Sequence, residues 1–520
     1  MSSIRGPAGS PRPAAEHAEP DPAPGPAPAR RSWLALVALA LVAGAALRVT
    51  RFWAPEPWLD EYATSFDVAG PWGEVARRVV LSEATSPFYY FLVKLSAEFL
   101  GYGPLGLRLP SVLAGLILLG ATYPLARRLF GDRHAALVAL VAVAVNERLI
   151  WYGQSARTHG LALAAAALSF LAYAALWRAE RTLTRVGWVA ATAAAVYANY
   201  LFGIVALAQA LHLAATRGMR ALVGRPWGAT WLALAAAVLP LAGLFAGVFT
   251  RRHSFDWFRP AVALAPARVL VDLLDPWVFT AVAITVLMLS AVEPPRLARD
   301  GPVGVLVLWL LVPIGVFSLV PPLLGVSLLY SRYVIVAAPA AVLVLAWCAA
   351  SVGRPGALRW LPLVVLVCTT VAWNHLPALR DTGTFAQWPP AGWHAVAAHL
   401  ARHASPGEMV LVNTDYALAD EVADPTRGAE IGRFVVWPVS SHFPAARRDD
   451  FMGLPLSATP ATLAYLDRTA ARAAGARRVW IVGGGAAGRY VSDVLLPARG
   501  FVRRPEAVYA GIAVLGMERP

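Results

Sequence analysis

The chain has 520 residues, of which 58% are hydrophobic and only 15% charged. Soluble chains carry about 25% charged residues, so the composition excludes an ordinary water-soluble globular protein. The net charge of +14 comes almost wholly from arginine, Lys94 being the sole lysine. No RNA- or DNA-binding motif accompanies it, so the excess points to cytoplasmic loops of a membrane protein and not to nucleic acid.

Apolar runs of about 20 residues, the length that crosses a bilayer as helix, recur from 33 to 373. The fold class is therefore mainly α, a polytopic membrane protein. Residues 1–30, rich in Pro and Ala without apolar periodicity, are expected to form a disordered cytoplasmic segment. Arg30 and Arg31 precede the first run, 33–47. The string RRSWLAL resembles a twin-arginine export signal, but the many later runs predict a retained first span with its N-terminus inside. Cys348 and Cys368 fall inside apolar runs and read as small core residues.

An outer loop, 50–105, follows. It opens on PWLDEYATSF at 57–66, where Asp60 and Glu61 stand between Trp58 and Tyr62. Ionised groups beside a bilayer are costly and mark functional sites, whereas the aromatic pair also fits an interfacial belt. In the continuation, SEATSPFYYFLVKLSAEFLG, residues Phe88, Phe91, Leu92, Leu95 and Phe99 share one helical face, and Lys94 and Glu98 sit four apart on another. This predicts an amphipathic helix, short for a span, lying flat on the outer membrane surface.

With that helix flat, spans follow near 107–125, 134–150, 160–177, 186–198, 201–216, 229–250, 277–292, 303–320, 332–350 and 358–374. The inner loops then hold Arg127, Arg128 and Arg133, then Arg178, Arg181 and Arg185, then Arg217, Arg220 and Arg225, then Arg296 and Arg299, then Arg354 and Arg359. Every inner loop is arginine-rich, as the positive-inside rule requires. Eleven spans result, with the N-terminus inside and the C-terminus outside, and 31–376 forms the membrane domain. Arg251, Arg252 and Arg259, near FDWF at 255–258, break the rule in one outer loop. Residues 377–520 change character. GWHAVAAHLARHASPGEMVLVNTDYA reads as helix, turn and strand, RRVWIVGGG as strand and glycine turn, and AVYAGIAVLGMER as a closing strand. These predict a soluble extracytoplasmic α/β domain.

Several polar groups share the outer side. A carboxylate such as Asp60 can act as general base towards a sugar hydroxyl or amine, or hold a metal or a substrate hydroxyl. GQSARTHG at 153–160 carries Arg157, whose planar fork can clamp a phosphate, with Gln154 and His159 as further donors; interfacial anchoring is the plainer role for this segment. YANYLFG at 197–203 is a break that exposes Asn199 and Tyr200. SRYVIVAAP at 331–339 places Arg332 in the same compartment, and outer arginines at such topological cost invite an anionic partner. Two further patterns carry little. GGGAAG at 483–488 follows a strand, but a lone G-x-G-x-x-G is weak and lies outside the membrane here. His399 and His403, four apart, lack a third metal ligand and read as a solvated helix face.

In this order the pieces resemble the glycosyltransferase family 39-like membrane enzymes, which include protein O-mannosyltransferases and the lipid A aminoarabinose transferase. The acidic WLDE, the segment SEATSPFYYFLVKL, the span RLPSVLAGLILLGATYPLARRLFG, then GQSARTHGL, YANYLFGIVALAQALHL and SRYVIVAAPA carry the resemblance over roughly 33–375. Glu83, Thr85 and Ser86 stand where the family pattern has Asp, His and Pro, and Thr158 and His159 replace Met and Tyr. The resemblance implies a GT-C fold in the cell (inner) membrane. It implies transfer of a sugar from a polyprenyl-phosphate donor in the outer leaflet to a glycan, lipid or protein acceptor, with inversion at the anomeric carbon.

The residues suit that chemistry. A lipid phosphate is a good leaving group, so one carboxylate to activate the acceptor and cations to hold the phosphate suffice. Asp60 is the expected base, with Glu61 and Glu83 as supporting or sugar-binding carboxylates. Arg157 and Arg332 are the expected phosphate binders, and His159, Asn199 and Tyr200 line the cavity. No cofactor is required, and a divalent metal is compatible with the pattern. A non-catalytic lipid or polysaccharide transporter is the alternative. It would favour internal repeats or helices broken near the membrane midplane; no internal repeat is present, and the acidic pair lies in an outer loop.

Overall fold

The chain is described here by a computed structural model, covering residues 30–83, 85–244, 265–290, 304–324, 330–351, 356–389, 391–414 and 416–520. The N-terminal segment, FDWF, and Arg251, Arg252, Arg259, Arg296, Arg299 and Arg354 lie outside the described residues. The fold is mainly helical, with a small C-terminal sheet. Among the described residues, seven helices are long and apolar enough to cross a membrane, or eight if one bent pair counts as a span. The chain is thus a multi-pass membrane protein.

Helix α1 (Arg30–Val49) packs Trp33 and Ala40 against Leu119, Leu137 and Leu140 of later helices. Three short helices follow outside the bundle: α2 (Leu59–Val68), α3 (Trp72–Ser82) and α4 (Phe88–Leu100). The amphipathic helix expected at 88–100 is therefore present. Its Tyr89, Tyr90, Val93 and Ala97 are buried against Val68, Val75, Val79 and Leu107. The face carrying Phe88, Leu95 and Phe99 is the exposed one, as suits a helix whose other environment is lipid. Lys94 and Glu98, four apart, form an ion pair at 2.6 Å.

The long helix α5 (Pro104–Phe130) runs from this layer of short helices to the arginine-rich end. At about 1.5 Å per residue, the rise between Arg108 and Arg128 is about 30 Å, one hydrocarbon thickness. Helix α8 (Thr158–Arg178) returns antiparallel beside it, with Arg157 at one end and Arg178 at the other. Arg178 donates to Arg128 O at 3.2 Å, and Arg185 and Arg217 both reach Glu180. The bundle thus gathers arginines at one end and the motif residues at the other.

One expected span, 134–150, is broken. Helix α6 (Arg133–Val145) stops and α7 (Glu147–Gln154) restarts at a bend of 55°. Asn146 causes the break: its backbone is extended and its side chain caps the new helix by accepting from Leu149 N at 2.9 Å. The carbonyls freed at the end of α6 are not left bare. Arg48, fully buried, donates to Val143 O and Ala144 O at 2.9 and 3.0 Å, which also places a cation at a helix C-terminus. The run 186–198 forms α9 (Thr182–Ala198), too short to qualify as a span by itself. Asn199 then breaks the chain and caps a tight turn at Tyr200–Gly203 ahead of α10 (Ile204–Arg217), as expected. Apolar helices over Pro276–Ser290 and Gly304–Leu324 occupy the runs expected at 277–292 and 303–320. The last apolar helix runs on to Thr382, past the boundary expected at 376.

The C-terminal part is an α/β domain with a five-stranded sheet of order β2-β1-β3-β5-β4. Strand β1 (Met409–Val412) lies parallel to β2 (Phe451–Gly453) and β3 (Arg478–Val482). The closing element is a hairpin and not the single strand expected: β4 (Val502–Tyr509) and β5 (Ile512–Glu518) pair antiparallel. Ala510 and Gly511 both take positive φ, 48° and 86°, the two-residue turn that suits the twist of paired strands. The glycine turn after β3 is occupied by protein: a Cβ on Gly485 would lie 2.2 Å from Asn413 Oδ1. His399 and His403 stack at 4.4 Å, and His399 meets Tyr509 at 2.8 Å.

The domain is seated on α2. Tyr62 joins the core formed by Trp393, Val396, Val436 and Val439, while Ala63 and Phe66 join Tyr416, Ala419, Ile431 and Phe434. Tyr416 Oη donates to Leu59 O at 2.5 Å, and Trp437 Nε1 to Ser65 Oγ at 3.3 Å. Neither aromatic of the WLDEY motif is a lipid-facing belt residue: Tyr62 is buried under the domain, and Trp58 packs on Trp151 at 5.2 Å.

Candidate active site

Helix α2 projects Asp60 and Glu61 in its first turn, and adjacent helical positions point in different directions. That geometry separates the two carboxylates completely. Glu61 points into protein and is 1% exposed. Its Oε1 accepts from Arg108 Nε at 2.9 Å and from Ala156 N at 2.6 Å, and its Oε2 accepts from Arg108 Nη2 at 2.6 Å. Arg108, 0% exposed, also donates to Phe52 O, Pro55 O and Glu56 O. All five of its N–H donors are engaged, and the guanidinium lies 4.0 Å from the Trp388 ring centroid. This pair clamps the start of the acidic loop onto α5.

Asp60 faces the other way, with its side chain 21% exposed. Its Oδ2 accepts from Arg332 Nη1 at 3.2 Å. Burial pushes the Asp60 carboxyl above its usual range, opposed by the charges of Arg157 and Arg332. Arg157 comes from the bend between α7 and α8 and grips Glu83 with both terminal nitrogens, at 2.5 and 2.8 Å. Its Nη1 also donates to Asp60 O at 3.1 Å, tying Arg157 to α2. Two buried nitrogens here, Arg157 Nε and His159 Nδ1, have no hydrogen-bond partner among the described residues. His159 leans on Tyr152 at 5.0 Å, and Asn199 Nδ2 reaches Thr158 Oγ1 at 3.4 Å. Tyr200 lies within electrostatic range of Tyr333 and Glu83.

The structure therefore brings Asp60, Glu83, Arg157 and Arg332 into one cluster, with His159, Asn199 and Tyr200 beside it. Glu61 is held apart, with both oxygens engaged. Two functional neighbours escape a sequence reading. One is Arg108; the signal that could have found it is an arginine at the end of a span away from the arginine-rich loops, the same feature that singles out Arg157 and Arg332. The other is Asp67, fully buried, which accepts from Ser82 Oγ at 2.7 Å while burial and the nearby Glu83 charge push its carboxyl well up. Among the described residues, no three His, Cys, Asp or Glu side chains are grouped as a metal ion would need.

Residues 84–243 match the family model described as dolichyl-phosphate-mannose-protein mannosyltransferase. The crystal structure of ArnT from Cupriavidus metallidurans in the apo state superposes with a TM-score of 0.56 at 14% identity, covering 94% of this chain and 98% of that one. The fold is GT-C. ArnT bound to undecaprenyl phosphate superposes with a TM-score of 0.55 over the same shares of both chains, again at 14% identity. No curated protein matches the chain by sequence. The match to ArnT spans both parts of this GT-C chain, the bundle and the C-terminal domain, whereas the family model covers α4 to α10, with Arg157, His159, Asn199 and Tyr200 but not Asp60, Glu61, Glu83 or Arg332.

Proposed function

We propose that this protein is a membrane glycosyltransferase that moves a sugar from a polyprenyl-phosphate-linked donor to an acceptor on the extracytoplasmic side, with Asp60 as base. The observation that carries the reading is a carboxylate with one oxygen on Arg332 and no hydrogen-bond partner for the other among the described residues, set beside a second guanidinium, Arg157. The acceptor O–H or N–H gives its proton to Asp60. Its oxygen or nitrogen then bonds to the anomeric carbon as the bond from that carbon to the phosphate oxygen breaks. The electron pair stays on the lipid phosphate, where Arg157 and Arg332 stabilise the charge. A single displacement inverts the anomeric centre. The fold shared with ArnT, crystallised with undecaprenyl phosphate, supports a lipid phosphate as leaving group. Glu61 acts through Arg108 as a positioning residue, and Glu83 holds Arg157 in place.

Removing either phosphate cation tests the assignment. Arg157→Ala and Arg332→Ala each weaken undecaprenyl-phosphate binding by about 1.5–3 kcal/mol, the range for hydrogen bonds to charged groups. Lysine at either position restores only part of this, because one ammonium does not reproduce a planar fork. Wild-type affinity in both alanine variants would remove these arginines from the role.

Sidedness follows from the arginine-rich end of the bundle, which belongs in the cytoplasm. In a variant lacking Cys348 and Cys368, Arg133→Cys stays unlabelled by an impermeant thiol reagent in intact cells, and Arg477→Cys is labelled. The reverse pattern overturns the orientation.

A transporter is the second reading, and the break at Asn146 is the feature that favours it. The bent half, α7, instead backs the acidic helix, since Trp151 packs on Trp58 and Ser155 Oγ accepts from Trp58 Nε1 at 3.2 Å.

A further inference from the structure

A second cavity lies between the C-terminal domain and α2–α3, away from the Asp60 cluster. Its volume is about 820 Å³, within the range of small-ligand sites. Phe66 of α2, Ala69 just past its end and Arg78 of α3 form its inner wall, and the helices Gly428–Ser440 and Pro460–Ala473 supply much of the outer wall. Along Gly428–Ser440 the lining positions Ala429, Gly432, Arg433, Val436 and Trp437 follow one helical face. A Cβ on Gly432 would meet open space, so the face is open at that position.

The charge of the wall is uneven. Its carboxylates are mostly spoken for: Glu430 pairs with Arg77, and Asp424 accepts from Thr426 N at 2.7 Å and Arg427 N at 3.1 Å. Arg78 is likewise satisfied by Glu74 at 2.8 Å and Phe66 O at 3.1 Å. Arg433, Arg468 and Arg472 have no carboxylate partner among the described residues and stand exposed at the cavity. Arg468 and Arg472 are four apart on one helix, a like-charge spacing that disfavours the helix by itself. Two aromatic residues line the same cavity as the cations. Trp437 is fixed by its bond to Ser65 and by Arg448, 5.2 Å from its centroid, and Tyr465 by its bond to Gly453 O at 2.8 Å. Guanidinium groups without carboxylate partners and fixed aromatic rings in one cavity suit a ligand that carries both sugar faces and negative charge.

The cavity shares an element with the Asp60 cluster, although no residue of that cluster lines it. Its inner wall is α2, the helix that bears Asp60, and six residues separate Asp60 from Phe66, about 9 Å along a helix. We infer that this cavity binds the acceptor and that the acceptor is an anionic glycan, its carboxylate or phosphate groups held by Arg433, Arg468 and Arg472. The inference rests on the glycosyl-transfer reading above and adds the acceptor's chemical class. The C-terminal domain is then the acceptor-binding module, and its seat on α2 sets the register between the glycan and Asp60.

The test uses the full-length protein in nanodiscs and three probes: tetragalacturonate, a mannose oligosaccharide with a terminal 6-phosphate, and neutral maltotetraose. At least one anionic probe binds, about tenfold or more tighter than maltotetraose, and high salt weakens it. The triple variant Arg433→Ala, Arg468→Ala, Arg472→Ala lowers that affinity about tenfold or more, and the triple lysine variant keeps most of it. Which anionic probe binds distinguishes carboxylate from phosphate. Undecaprenyl-phosphate binding is measured on the same samples. If the lipid phosphate binds but neither anionic glycan does, or if the triple alanine variant binds them as wild type, the acceptor inference is overturned and the transferase reading stands. If the glycan binds as described but the lipid phosphate does not, the transferase reading fails instead. Thermal unfolding of the triple variant confirms that these exposed substitutions leave the fold intact.

Discussion

Asp60→Asn lowers turnover by about 10²–10⁴-fold, the usual effect of losing a general base, and leaves polyprenyl-phosphate affinity at or above the wild-type value. The amide keeps the size of the side chain but cannot take a proton, and it releases Arg332 from its 3.2 Å ion pair. The pH profile carries a second signature. Burial raises the Asp60 pKa, and a base works only when deprotonated. Activity is therefore full above that raised pKa and falls as pH drops through it, at a pH above the ordinary aspartate value of about 3.9. The residual rate of the asparagine variant lacks this limb. Turnover and lipid-phosphate binding, measured in parallel on purified protein, separate chemistry from binding. Near-normal turnover, or a loss explained entirely by donor binding, moves the role of base to another carboxylate. Glu83 is then the first to test, because both Glu61 oxygens are occupied by Arg108 and Ala156 N.

Arg108→Ala destabilises the protein by about 3–5 kcal/mol, the range for removing one partner of a buried ion pair. The reason is the carboxylate left behind. Glu61 is 1% exposed, and without Arg108 only Ala156 N remains as a hydrogen-bond donor to it. Three backbone carbonyls, of Phe52, Pro55 and Glu56, lose their donor in the same step. Replacing both partners, as Arg108→Met with Glu61→Leu, recovers much of the stability, because a well-packed apolar pair carries no desolvation penalty. It does not recover activity, since the loop that aims Asp60 is no longer pinned to α5. Reversible unfolding in mixed micelles measures the first effect and turnover the second. A loss below about 1 kcal/mol in the single variant would show that water reaches Glu61 and that the pair is not the anchor described.

Much of this architecture is legible along the chain because a bilayer makes local demands. Every backbone polar group in lipid must be satisfied within its own helix, so apolar length alone marks the helices Pro104–Phe130, Thr158–Arg178 and Ser331–Ala350. The break at Asn146 is less legible. The apolar run continues through it, and what stabilises the bend is Arg48, nearly a hundred residues away. The hairpin at the C-terminus was hidden for a different reason: Ala510 takes positive φ, which its residue type does not advertise.

The site divides along the same line. The GT-C type was implied by the resemblance of its motifs; by itself the sequence determined a multi-pass membrane protein, an acidic loop after the first span, and arginine-bearing motifs set apart from the arginine-rich loops. These follow from composition, run length and charge, each of which acts locally. Only the tertiary structure decided which of two adjacent carboxylates faces the cluster. It also decided that Arg108 claims Glu61, that Glu83 claims Arg157, and that the C-terminal domain closes over α2 through Tyr62, Ala63 and Phe66. The physical reason is that a charged side chain near a membrane is worth little until its partner is fixed, and here the partners are 47 to 272 residues apart in the chain.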